Sequence, residues 1–241
     1  MSKKSPRPEG GLSLGDGPRR EGRGDADAPP SDCALCSRLV GFRDELREKY
    51  PHWHNAPVPS FGSRDARVLI VGLGPGLMGA NRTGRPFTGD YAGDLLYATL
   101  REHGFAAGEY VAGRDTEAWE PDTLTLKDAR VTNAVRCLPP QNKPLPAEIA
   151  TCRKFLVTEI AGMKKLKVIV ALGRVAHEAI IAALGLKQKA HPFTHGAQHE
   201  LPNGLVLADS YHCSRYNTNT GVLTPKMFKE VFRNVRRRLD L

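Results

Sequence analysis

The chain has 241 residues, 40% of them hydrophobic, and 35 Lys/Arg against 26 Asp/Glu give a formal net charge of +9. Its apolar runs fall far short of the roughly 20 residues that a membrane span needs, and no apolar segment follows the basic first residues, so an intracellular protein with no membrane partner is expected. The positive balance points to an anionic polymer as partner, and because residues 1–30 hold six Lys/Arg against five Asp/Glu, the excess belongs to the rest of the chain.

Residues 1–31 are mostly Gly, Pro, Arg and Asp, a composition expected to form a disordered arm. Residues 32–241 are then a single folded domain. Cys33 and Cys36 come first, followed by Leu39, Val40, Phe42, Leu46 and Tyr50 at helical spacing, which predicts a helix ending before Pro51. The proline-rich stretch Pro51 to Gly62 is expected to cross the surface. Arg67 to Val71 reads as a strand buried on both faces. It stops in Gly72, Gly74, Gly76 and Gly79, which allow a tight turn and close approach to a ligand. The polar stretch from Asn81 to Asp90 is too rich in Gly and Pro for a helix and reads as a site-bearing loop. Gly74, Gly76 and Gly79 imitate a dinucleotide fingerprint, but that motif opens straight into a helix. Gly79 to Gly84 imitates a phosphate loop, yet Arg85 and Pro86 stand where Lys and Ser/Thr are required.

Asp94 to Gly104 has an N-cap, apolar residues at helical spacing and a terminal glycine. Ala129 to Val135 is the next strand, stopped by Pro139 and Pro140. Ala147 to Met163 is helical, Lys167 to Gly173 a third buried strand, Arg174 to Leu184 a helix, and Leu205 to Asp209 a fourth strand that runs into the polar loop Ser210 to Gly221. The last helix starts at Thr224 with Pro225 in its first turn. Phe228, Val231, Phe232, Val235 and Leu239 form its apolar stripe, and the basic remainder is expected to be a solvated face, not a DNA contact. The alternation predicts an α/β three-layer sandwich with a central, mainly parallel four-stranded sheet flanked by helices. Ligands of such sheets bind beyond the carboxyl ends of the strands, where Gly72, Asn133 and His212 converge.

Of the five cysteines, Cys33 and Cys36 have the spacing for one metal, and Cys137 with Cys152 can complete four thiolates. Either zinc or an iron–sulfur cluster satisfies that spacing. Cys213, beside His212, is left outside this set.

Taken together, the motifs identify a family. Gly72-Leu73-Gly74-Pro75-Gly76, continuing from Ala80 through Asp90, resembles the first motif of the iron–sulfur uracil-DNA glycosylases, type-b branch (the fifth family). Thr132 to Pro140 resembles their central motif, and His212-Cys213-Ser214 with Asn217, Thr220 and Gly221 their last. The likeness spans Cys33 to about Leu239. Gly74 stands where the branch usually has Ala, Leu77-Met78 replaces a small residue and His, and Cys213 replaces a proline.

The resemblance implies a uracil-DNA glycosylase fold and a structural 4Fe-4S cluster on Cys33, Cys36, Cys137 and Cys152. It implies a monomer that flips uracil from DNA and hydrolyses its glycosidic bond without ATP or nicotinamide. Gly72, Leu73, Gly74, Gly76, Phe87, Asn133 and His212 would form the base pocket, with Asp90, Asn133 and His212 catalytic. Asn81, Arg82, Arg85, Ser214, Arg215, Tyr216 and Asn217 would contact DNA. The alternative, from another class, is a DNA-binding protein that captures damaged bases without turnover, with Gly74, Leu77, Met78 and Cys213 as the places where catalysis would fail.

Overall fold

The structure, a computed structural model, describes residues 28–113, 122–202 and 204–240. Its elements in chain order are α1 (Ser37–Lys49), β1 (Val68–Gly72), α2 (Ala80–Thr83), α3 (Tyr91–Glu102), β2 (Ala106–Ala107), β3 (Thr125–Leu126), β4 (Ala129–Asn133), α4 (Pro146–Gly162), β5 (Val168–Leu172), α5 (Arg174–Ala183), β6 (Gln198–Glu200), β7 (Val206–Ser210), α6 (Arg215–Asn219) and α7 (Pro225–Leu239). The main sheet has the order β4-β1-β5-β7-β6, parallel except for β6, and β2 pairs with β3 in a separate ribbon.

β1 is wholly buried, and the two-residue period of a strand divides its side chains between two cores. Val68 and Ile70 pack with Leu96 and Leu100 of α3 and with Phe228 and Phe232 of α7. Leu69 and Val71 pack with Leu156 of α4 and with Ala176 and Ile180 of α5. Each such aliphatic side chain contributes roughly 1.5–3 kcal/mol. Helices therefore cover both faces, as expected for this sheet.

Several local expectations are corrected. The main sheet has five strands rather than four, because Gln198–Glu200 adds an antiparallel edge to β7. Its residues, Gln-His-Glu, give no apolar signal. Asp90, not Asp94, caps α3: its Oδ1 accepts from Ala92 N at 3.1 Å and Gly93 N at 3.4 Å. Ala80–Thr83 makes one helical turn in the stretch expected to have none, stopped by Gly84 in the left-handed region. Within Pro51 to Gly62, residues 55–58 are buried rather than on the surface. Asn55 makes that burial tolerable: its Nδ2 donates to Tyr50 O at 2.6 Å and its Oδ1 accepts from Asn81 at 2.9 Å. Most of the expected arm, residues 1–27, lies outside the described residues.

α7 docks as anticipated, with the Thr224 hydroxyl accepting from Met227 N. Its basic face is largely engaged within the chain. Lys229 pairs with Glu102 at 2.6 Å, Arg238 pairs with Glu200, and Arg236 donates to His103 O while stacking on Phe105. A buried ionic triad fixes α4 to the β4 region: Glu159 accepts from Arg130 at 2.7 Å and from Arg136 at 2.5 Å. Burial would raise the Glu159 carboxyl, but the Arg136 and Arg130 charges hold it below its usual value.

Candidate functional site

Strand register builds the site. β1 and β4 pair with Gly72 beside Asn133, and His212 follows β7 by two residues. A Cβ on Gly72 would lie 2.5 Å from Asn133 Oδ1 and 2.6 Å from Phe87 Cζ. The missing side chain is thus the space in which these two groups meet. Phe87, Asn133, His212 and Asp90 line one recess with Gly74 and Gly76. The recess continues into a cleft of about 340 Å³, bordered also by Leu73, Tyr91, Pro139, Asn142, Ser214 and Arg215.

Each lining group is held from behind. Phe87 has a left-handed backbone, φ 55°, a conformation that costs a non-glycine residue about 1–3 kcal/mol. The Tyr110 hydroxyl donates to its carbonyl at 3.3 Å and Tyr97 donates to Pro86 O at 2.5 Å, fixing that turn. The Phe87 and His212 rings lie 6.0 Å apart at 28°. Burial depresses the His212 imidazole to about 4, so it is neutral near pH 7. Asn217 Nδ2 donates to His212 O at 2.8 Å and Cys213 Sγ donates to Ala92 O at 3.5 Å, tying the His212 loop to itself and to the start of α3. The Asn133 amide has no hydrogen-bond partner among the described residues. A buried amide left open toward a recess is a recognition group in waiting.

Asp90 has two tasks. Oδ1 caps α3, while Oδ2 turns toward the Gly76–Gly79 turn, 2.5 Å from where a Gly79 Cβ would stand. A carboxylate therefore sits at the mouth of the recess against bare backbone.

The expected DNA contacts separate into two groups. Asn81, Arg82 and Arg85 are buried, which corrects the expectation that they contact DNA. Arg85 makes a bidentate pair with Asp122, both bonds 2.7 Å, and packs over Phe61 and Tyr97. Arg82 donates to Met78 O and Gly113 O. They brace the motif loop. Asn217 is likewise an internal strut, and Ser214 caps α6. Arg215 and Tyr216 are exposed, with Arg215 stacked at 4.3 Å over the ring of Tyr91. Tyr91, Asn142 and Tyr110 were missed as site-forming residues; Tyr91 directly follows Asp90, but the other two give no local signal.

Cys33, Cys36, Cys137 and Cys152 border a second recess with Leu39, Val135 and Phe155. Burial pushes the Cys137 thiol up to about 12, and the Arg136 amide donates to Cys152 Sγ at 3.4 Å. Cys213 is elsewhere, as expected.

A family model described as the Uracil DNA glycosylase superfamily matches residues 59–236. The chain is 46% identical over 211 residues to a type-5 uracil-DNA glycosylase of Thermus thermophilus, covering 85% of this chain and 93% of that protein. It is 39% identical over 220 residues to a type-5 uracil-DNA glycosylase of Mycobacterium leprae, covering 88% and 93%. A type-4 uracil-DNA glycosylase of Thermotoga maritima is 38% identical over 116 residues, 48% of this chain and 49% of that protein.

Proposed function

The chain belongs to the uracil DNA glycosylase superfamily, and from that premise we propose that it is a monofunctional uracil-DNA glycosylase of base excision repair. It hydrolyses the bond between deoxyribose and uracil and leaves an abasic site in an uncut strand. The carrying observation is that Phe87 from the loop between α2 and α3, Asn133 from the end of β4 and His212 from the loop after β7 line one recess.

The target base lies inside a duplex, so it must first be everted, at a cost of a few kcal/mol that is least for a mispaired base. Phe87 offers a flat apolar face for the uracil ring. Asn133 accepts from N3–H and donates to O4, a pattern that cytosine reverses; its Oδ1 is held against Gly72. When the C1′–N1 bond breaks, its electron pair moves onto the base and positive charge builds on the sugar. Neutral His212 donates to O2, where the negative charge gathers. The Asp90 carboxylate offsets the sugar charge and positions the water that adds at C1′.

Arg215 lines the cleft and its neighbour Tyr216 is exposed; these two side chains would enter the duplex and fill the vacated space. Cys33, Cys36, Cys137 and Cys152 would hold a 4Fe-4S cluster. Their side chains supply a four-thiolate donor set. All four border one recess. When bound, the cluster supplies a cross-link between the N-terminal segment, the strand end after β4, and α4. No described helix is long and apolar enough to cross a membrane, and the expected working state is an intracellular monomer.

Pure protein incubated with a duplex holding one uracil, then treated with alkali, should give strand breaks at that site over several turnovers. Breaks only up to one per protein would favour base capture, and none from folded protein would reject the activity.

A further inference from the structure

Apart from the recess and the cleft, three side chains from three elements meet at the β6 edge of the sheet: His177 of α5, His199 of β6 and Asp209 of β7. His177 Nδ1 lies 2.7 Å from Asp209 Oδ1, and its Nε2 lies 2.8 Å from the His191 carbonyl oxygen. A carbonyl only accepts, so Nε2 carries the hydrogen. The Nδ1 of a neutral ring would then present a lone pair to a carboxylate that also only accepts. Two acceptors so close repel unless a cation lies between them. His199 Nε2 adds a third ligand atom, 3.1 Å from Asp209 Oδ2, and the ligand atoms of the three residues all lie within 4.8 Å of one another.

We propose that His177, His199 and Asp209 form a binding site for one divalent transition-metal ion of the zinc class. Two imidazole nitrogens and one carboxylate oxygen suit zinc, and a fourth position remains for water. The surrounding groups match what such a site needs. The bond from His177 Nε2 to the His191 carbonyl fixes the ring tautomer with Nδ1 inward, and the Thr194 amide donates to Asp209 Oδ2 at 3.4 Å. His177 and Asp209 are buried, whereas His199 keeps 13% side-chain exposure and gives an entry path. Zinc ligands at about 2.0–2.1 Å from the metal stand about 3.3 Å apart, so Nδ1 and Oδ1 must part by about 0.6 Å. Asp209 lies three residues before His212, and its backbone bonds to Gly196 and Ala197. Metal binding would therefore stiffen the root of the loop that carries His212.

The test is calorimetric titration of the full chain, as purified and washed with chelator, with zinc alone, while the melting temperature is followed in parallel. One equivalent should bind with release of a proton from His177 and raise the melting temperature. The partly exposed His199→Gln should keep the fold and weaken that equivalent by at least about tenfold. A Cys33→Ser variant should retain it, which separates it from any metal held by the thiols. Absence of saturable binding, or equal affinity in His199→Gln, overturns the proposal and leaves a proton as the cation of the His177–Asp209 pair. Neither result depends on glycosylase activity.

Discussion

Replacing Gly72 by Ala perturbs the base recess by one carbon. The new Cβ would stand 2.5 Å from Asn133 Oδ1 and 2.6 Å from Phe87 Cζ, where ordinary contact begins at 3.4 Å. The amide and the ring must retreat by about 0.8–0.9 Å, and a displacement near 1 Å costs a positioned reaction about 100-fold. Overpacking at this buried strand end also costs about 1–3 kcal/mol of stability. The assay is single-turnover uracil release from a duplex, with affinity for abasic-site DNA and the melting temperature measured alongside. The rate should fall about 100-fold while abasic-site binding is largely kept. Gly74→Ala is the internal control, because its Cβ would meet nothing nearer than 3.4 Å, and it should stay within about twofold of wild type. A stably folded Gly72→Ala protein with a rate within about threefold of wild type would refute the reasoning from contact to alignment.

Asp90→Asn keeps a capping oxygen and removes the charge, so stability should change by no more than about 0.5 kcal/mol while the single-turnover rate drops; an unchanged rate would remove Asp90 from the chemistry. His212, depressed to about 4 by burial, should leave no titration step in the rate between pH 6 and 8. Because its folded value lies below that of the unfolded chain, its neutral form contributes stability that is full above about 6.5 and is lost as pH falls toward 4. Denaturation measured across that range, with His212→Gln as reference, checks the sign. Glu159→Ala leaves the Arg130 and Arg136 guanidiniums buried without their shared carboxylate, and urea unfolding should show a loss of about 3–5 kcal/mol; a loss under about 1 kcal/mol would contradict the triad's role. In the wild type that contribution is present above the ordinary carboxylate value and disappears as the pH falls through the depressed one.

What was legible in the sequence was local. Val68 to Val71 announces a doubly buried strand, and Gly72, Asn133 and His212 stand at or just beyond strand ends, so a parallel sheet brings them together without further information. What was not legible depends on distant partners. Arg85 reads as a DNA contact until Asp122, far along the chain, supplies a carboxylate that pairs with it. Asn217 reads as a loop-tip contact until the His212 carbonyl proves to be its partner. The edge strand Gln198–Glu200 has no apolar period because it is paired on one side and half exposed on its faces. The His177–Asp209–His199 meeting joins three elements whose sequence gave no sign of one another.

The most direct test of the central claim is a structure of the protein bound to a duplex whose target nucleotide is a non-cleavable deoxyuridine. The uracil should lie flat on Phe87, with its N3–H and O4 on the Asn133 amide and O2 toward His212. A base bound elsewhere, or one that fails to touch all three side chains, would contradict the account.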